Sequence, residues 1–187
     1  MQDVVGTVDQ IAVYPVKSLA GRTVREAEVE AAGLRGDRTY TVVDAGTGER
    51  VTGRTTPAMS EVVATGDAEA DTITLTEVLG RAVRLARAGA PQVDAAAVHL
   101  VSRQAIDRAA GGDVPEGCSA DDPRANLLLS LTGEADERAW VGRRLKVGEA
   151  VLDVVRTPKH CLGVYAEVRV PGRVAAGDTV VLTDELG

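Results

Sequence analysis

Residues 4–21 read VVGTVDQIAVYPVKSLAG, and this stretch sets the fold class. Apolar and polar residues alternate over 4–16, the period-two pattern of one or two half-buried strands. The alternation ends at Pro15, whose fixed φ and missing N–H restrict a strand. Lys17 and Ser18 follow at once. A cation and a hydroxyl therefore stand at a strand end, where a barrel presents polar groups to a ligand.

The same short-strand grammar continues outward. REAEVEA (25–31) alternates glutamate with apolar residues, and TYTVVD (39–44) and RVTG (50–53) flank the turn signal AGTGE. VVATG, DTITLT and RAVRLA extend the strand series between 62 and 86, and RAGAPQVDAA (87–96) reads as a linker. VHLVS (98–102) opens a second part as a strand, and Ser102 is placed to cap a short helix over SRQAIDRAA that the glycines at 111–112 end. DVPEGCSADDP (113–123) reads as a loop and RANLLLS (124–130) as a buried strand. ERAWVGRRLKVGEAVLDVVR (137–156) gives a turn and two strands broken at Gly148; GVYAEVRV, a Pro-Gly turn and DTVVLT close the chain. About a dozen short strands with one or two short helices predict a mostly β, barrel-like fold with an N-terminal β-rich part.

Composition agrees and narrows the function classes. Of 187 residues, 44% are hydrophobic but only 2% are aromatic, with no Phe, so the core must be built from Val, Leu, Ile and Ala. A net charge of -7 argues against binding nucleic acid or an anionic membrane, since phosphate contacts need clustered Lys and Arg. The first residues lack a signal-peptide pattern, and no apolar run is long enough to span a bilayer. The two cysteines, Cys118 and Cys161, make neither a disulfide framework nor a CxxC motif, which fits a cytoplasmic protein.

Few residues are candidates for chemistry. The two histidines have no zinc-ligand spacing, and His99, inside AVHLVS, reads as a satisfied strand residue. Arg35 and Arg38 precede one strand and Arg124 and Asn126 another; with Lys17 and Ser18 they are of the types that can together hold a phosphate and a polar ring system, while each taken singly also reads as an ordinary loop residue. Cys161 follows Lys159 and His160, whose positive charge favours thiolate. From its neighbours alone Cys161 is a nucleophile, a metal ligand or a small core residue. Cys118, in a loop without such partners, reads as incidental.

Six fragments in order resemble the MOSC family, named for the C-terminal domain of molybdenum cofactor sulfurase: IAVYPVKSLAG, GLRGDRTYTVVD, VTGRTTP, DPRANLLLS, WVGRRLKVGEAVLDVVRTPKHC and GVYAEV, with VAAGDTVVL after them. The resemblance implies a MOSC N-terminal β-barrel part over 1–87 and a MOSC domain over 97–187. It implies molybdenum cofactor, a pterin dithiolene with a terminal phosphate. Cys161 matches the sulfur ligand of molybdenum, and so the catalytic position, in amidoxime-reducing relatives. Lys17, Ser18 and Arg38 match phosphate and pterin contacts, and Arg124, Asn126 and Ser102 match further cofactor contacts.

The implied reaction is two-electron reduction of an N–O bond in small N-hydroxylated substrates, with electrons from a separate ferredoxin- or flavoprotein-type donor. Two other readings stay open beside it: a sulfur carrier with a Cys161 persulfide, and a MOSC scaffold reused as a molybdenum-free accessory enzyme. Pyridoxal phosphate, despite Lys17, is not expected, because that chemistry belongs to the desulfurase part of the full-length sulfurase. The sequence departs from the family pattern in two places. Leu19 follows YPVKS where relatives often have Cys, and only Leu162 separates Cys161 from GVYA.

Overall fold

The computed structural model describes residues 3–87, 96–114 and 123–185. In chain order the strands are β1 (Asp3–Val13), β2 (Arg22–Val24), β3 (Glu26–Glu30), β4 (Gly33–Leu34), β5 (Tyr40–Asp44), β6 (Val83–Arg87), β7 (Val98–Ser102), β8 (Leu127–Leu131), β9 (Arg143–Val147), β10 (Ala150–Arg156), β11 (Val164–Val170), β12 (Gly172–Ala175) and β13 (Thr179–Glu185). The helices are α1 (Ala68–Leu79) and α2 (Arg103–Ala110), with 3-10 turns at Pro57–Glu61 and Glu137–Trp140. The fold is mostly β, as expected.

Two compact units share the chain. The first comprises residues 1–12, 24–35 and 95–187. Its sheet runs β13-β9-β10-β11-β7-β8-β1, and β13 pairs back onto β1, which closes seven strands into a barrel. All these pairs are antiparallel except β7 with β8. Closure removes the sheet edges and their unpaired N–H and C=O groups. Burial alternates along β8 and β10, so every second residue is enclosed. Ile11, Leu100, Leu127, Leu129, Leu145 and Leu152 are fully buried, each contributing roughly 2 kcal/mol by leaving water. A smaller sheet, β12-β3-β4, belongs to the same unit.

The second unit comprises residues 13–23 and 36–94. Strands β5 and β6 form its hairpin-like pair, and Val16, Leu19, Val42, Met59, Ala64 and Leu75 form its core. Leu19, which stands where relatives often have Cys, is a fully buried member of that core.

Several expectations meet a different structure: RVTG and VVATG contribute only isolated bridges, at Arg50 and Val63, and no strand. DTITLT is helical, not a strand, because it lies inside α1. Asp67 accepts hydrogen bonds from the N–H groups of Glu69 and Ala70 at one end, and Gly80 ends the helix at φ 61°. These local caps override the strand preference of Thr and Ile. The two compact units are not continuous segments: residues 1–12 and 24–35 belong with the C-terminal part. Strand β1 pairs with β8 and β13, and β3 with β12, so the N-terminal segments complete sheets made mostly of later strands. The linker expected over 87–96 and the loop carrying Cys118 fall largely outside the described residues.

Candidate functional site

In the second unit, three sequence fragments converge. Val16 bridges Tyr40, and the Lys17 N–H donates to the Tyr40 carbonyl at 2.9 Å. The Arg38 N–H donates to the Tyr14 carbonyl at 2.6 Å, and the Tyr14 N–H donates to Asp37 Oδ1 at 2.7 Å. YPVKS and GDRTY are thus clamped together. The Arg38 side chain is buried, 3.5 Å from the Asp37 carboxylate and over the Tyr14 ring at 5.7 Å. Gly53, from the VTGRT segment, lies against Ser18; a Cβ there would sit 3.4 Å from Ser18 Cβ. Arg35 is exposed, belongs to the first unit, and pairs with Glu30 at 2.6 Å.

In the first unit, Cys161 lies in the connection between β10 and β11. Its Sγ is half-buried and donates to the Pro123 carbonyl at 3.4 Å, one residue before Arg124. Leu162 belongs to one hydrophobic cluster with Ala125, Val101 and Ala105. His99 is buried in β7 with its Nε2 2.7 Å from the Leu162 carbonyl and its ring 4.8 Å from that of Tyr165. Gly163 has φ 78°, and a Cβ there would fall on the Leu100 carbonyl oxygen. The backbone after Cys161 is therefore fixed from three sides.

Asn126 and Ser102 occupy buried framework positions. Asn126 Oδ1 accepts from the His99 N–H at 3.1 Å and its Nδ2 donates to the Ala12 carbonyl at 3.4 Å, tying β7 to β1. Ser102 caps α2: its Oγ accepts from the Ala105 N–H at 2.9 Å and donates to Glu137 Oε2 at 2.7 Å. A capping residue ahead of α2 is what the sequence predicts.

Charged residues that the sequence does not single out complete this region. A pocket of about 170 Å³ is lined by Cys161, Arg108, Arg138, Glu137, Asp113 and their neighbours. Glu137 is fully buried and also accepts from the Ser102 N–H at 3.2 Å. The Arg138 guanidinium donates to both Asp136 oxygens at 2.7–3.1 Å and so holds the Asp136 carboxyl below its ordinary value. Among the sequence candidates, Cys161 alone lines this pocket.

Backbone conformation singles out the candidates again. Among the described residues, three non-glycine residues have left-handed φ: Ser18 (72°), Arg38 (47°) and Arg124 (51°). Left-handed backbone at a residue with a Cβ costs about 1–3 kcal/mol and concentrates at functional sites.

The MOSC N-terminal beta barrel domain family matches residues 5–119. The chain belongs to the MOSC family. A search of curated proteins returns no match. Among solved structures, the YuaD protein from Bacillus subtilis is similar at 14% identity and a TM-score of 0.55, with 97% of each chain covered. A hypothetical protein is similar at 14% identity and a TM-score of 0.51, over 98% of this MOSC chain and 70% of that one. YiiM from Escherichia coli has 15% identity and a TM-score of 0.46, over 100% and 72% of the two chains. At these identities the first two likenesses speak for the fold alone, a MOSC barrel.

Proposed function

We propose that this MOSC protein holds a molybdenum–pterin cofactor and reduces N-hydroxylated compounds, with electrons from a separate ferredoxin- or flavoprotein-type donor. One observation supports this reading above the others. Ser18, Arg38 and Arg124, the three non-glycine residues with left-handed backbone among the described residues, are also three of the positions that the family resemblance assigns to the cofactor. Local strain of that kind persists where the surrounding structure requires it.

The donor set fits the group. Cys161 offers one soft, half-buried sulfur at a pocket. Among the described residues, no three His, Cys, Asp or Glu side chains gather as a metal cage. A single thiolate suits a metal that carries further sulfur ligands on its own pterin. When bound, the cofactor would supply the two-electron chemistry that cleaves an N–O bond. The chain's residues would do the positioning. Cys161 would bind the metal as thiolate, Lys17, Ser18 and Arg38 would hold the phosphate and pterin, and Arg124 would add a further cationic contact. Asn126 and Ser102, with their polar atoms engaged inside the unit, would hold the backbone around Arg124 and α2.

Metal and pterin analysis of protein purified from a cofactor-producing host tests the reading. The expected result is near-stoichiometric molybdenum and pterin, with molybdenum lost in Cys161→Ser while the circular dichroism spectrum is kept. Freshly prepared protein that is active yet contains neither would overturn it. A mass increase of about 32 on Cys161 after incubation with a cysteine desulfurase, without molybdenum, would instead favour the sulfur carrier.

A further inference from the structure

The pocket beside Cys161 contains more than the thiol. Arg108 reaches it from the last turn of α2, and Arg138 from the 3-10 turn at Glu137–Trp140. Asp136, outside the pocket lining, engages both guanidiniums, while Glu137 and Asp113 line the pocket beside them. Arg138 uses Nε and one terminal nitrogen on Asp136; its other terminal nitrogen is 3.8 Å from Asp113, beyond hydrogen-bond length. Arg108 reaches Asp136 at 3.4 Å and Glu137 at 3.7 Å through a single terminal nitrogen. A guanidinium carries five N–H donors. Each arginine therefore keeps donors that make no hydrogen bond among the described residues.

The acids are not equivalent. Glu137 is fully buried and already accepts from Ser102, and Asp136 is engaged by both arginines. Asp113 is 65% exposed and only loosely associated with Arg138, so of the three acids it competes least for the guanidinium donors. Two oriented guanidiniums with spare donors suit a planar anion such as a carboxylate. The pocket, about 170 Å³, is smaller than the 300–1,000 Å³ typical of drug-sized ligands, so it fits a single ring or a short chain.

We infer that Arg108 and Arg138 bind a carboxylate on the substrate, so that this protein prefers N-hydroxylated compounds that carry an anionic group. This inference rests on the proposed reductase function and adds a substrate class to it.

Calorimetry or ligand-observed NMR with benzoate and its neutral counterpart benzamide tests the pocket without any turnover. Benzoate should bind at least about tenfold tighter than benzamide, the scale of one or two hydrogen bonds to a charged group. Arg138→Gln and Arg108→Gln should each remove most of that preference. Arg138→Lys should keep part of it, and this variant guards against simple misfolding. Arg173→Gln, at a surface pair with Glu26, should leave the preference intact. Equal affinity for the two ligands, or a preference that survives both pocket substitutions, would overturn the inference.

On molybdenum-loaded protein, para-carboxybenzamidoxime should be turned over with a kcat/KM about tenfold above that for benzamidoxime, and Arg138→Gln should bring the ratio close to one. The two readings fail separately. A benzoate preference in protein that never acquires molybdenum defeats the reductase function and keeps the anion pocket. Molybdenum-loaded protein with no benzoate preference defeats the anion pocket alone.

Discussion

His99 Nε2 lies 2.7 Å from the carbonyl oxygen of Leu162, the residue that follows Cys161. A carbonyl only accepts, so Nε2 carries the proton in this contact. The histidine sits in β7 and the carbonyl in the β10–β11 connection. A strand residue of the barrel thereby sets the height of the candidate ligand loop.

Replacing His99 with Leu removes the donor and leaves a buried carbonyl with one partner fewer. The expected cost is about 1–3 kcal/mol in a denaturant titration. The loop should also loosen, so Cys161 should react faster with a thiol reagent, measured in a Cys118→Ser background. An unchanged rate together with full stability would show that the loop does not depend on this contact.

Much of the fold is legible in the sequence, and the exceptions have physical causes. Alternation over 4–16 announces β1, and Ser102 before an amphipathic run announces the cap of α2. Those signals are local. DTITLT misleads because Thr and Ile favour strands, while the decisive residues, Asp67 and Gly80, lie outside the run. Left-handed backbone at Ser18, Arg38 and Arg124 is not legible, since only glycine advertises that conformation. Glu137, Arg108 and Arg138 look like ordinary surface charges in the sequence. Burial of Glu137 depends on β7, α2 and the 3-10 turn meeting, which no short window of sequence records. The preceding Asp136, capping that turn by accepting from the Arg138 N–H, is the one local hint.

Gly163→Ala should be severe. The residue has φ 78° and its new methyl would fall on the Leu100 carbonyl, which is rigid barrel backbone. Strain and clash together put the loss at about 3 kcal/mol or more. Thermal unfolding should show a melting temperature lowered by roughly 6–12 °C. A change within about 2 °C would mean that the loop can shift away from β7 at little cost.

Glu137→Ala should cost a similar amount for a different reason. It leaves the Ser102 hydroxyl and N–H without their acceptor and Arg108 without its buried partner. Breaking a buried charged network by removing one member costs about 3–5 kcal/mol. Glu137→Gln keeps an acceptor for Ser102 and should retain most of the stability, which chemical denaturation of both variants would resolve.

Acid should weaken the Asp136–Arg138 pair in a defined direction. The guanidinium hydrogen bonds hold the Asp136 carboxyl below its ordinary 3.8 in the folded protein. As pH falls, the unfolded chain takes up this proton first, so protonation favours unfolding. The contribution of the pair is therefore complete above the unfolded value and is lost as pH drops through the folded one. Asp136→Asn removes that linkage. Denaturation midpoints of wild type and Asp136→Asn should differ most near about pH 6 and converge toward about pH 3 and below. A difference that stays constant over that range would show that the Asp136 carboxylate adds nothing through its charge.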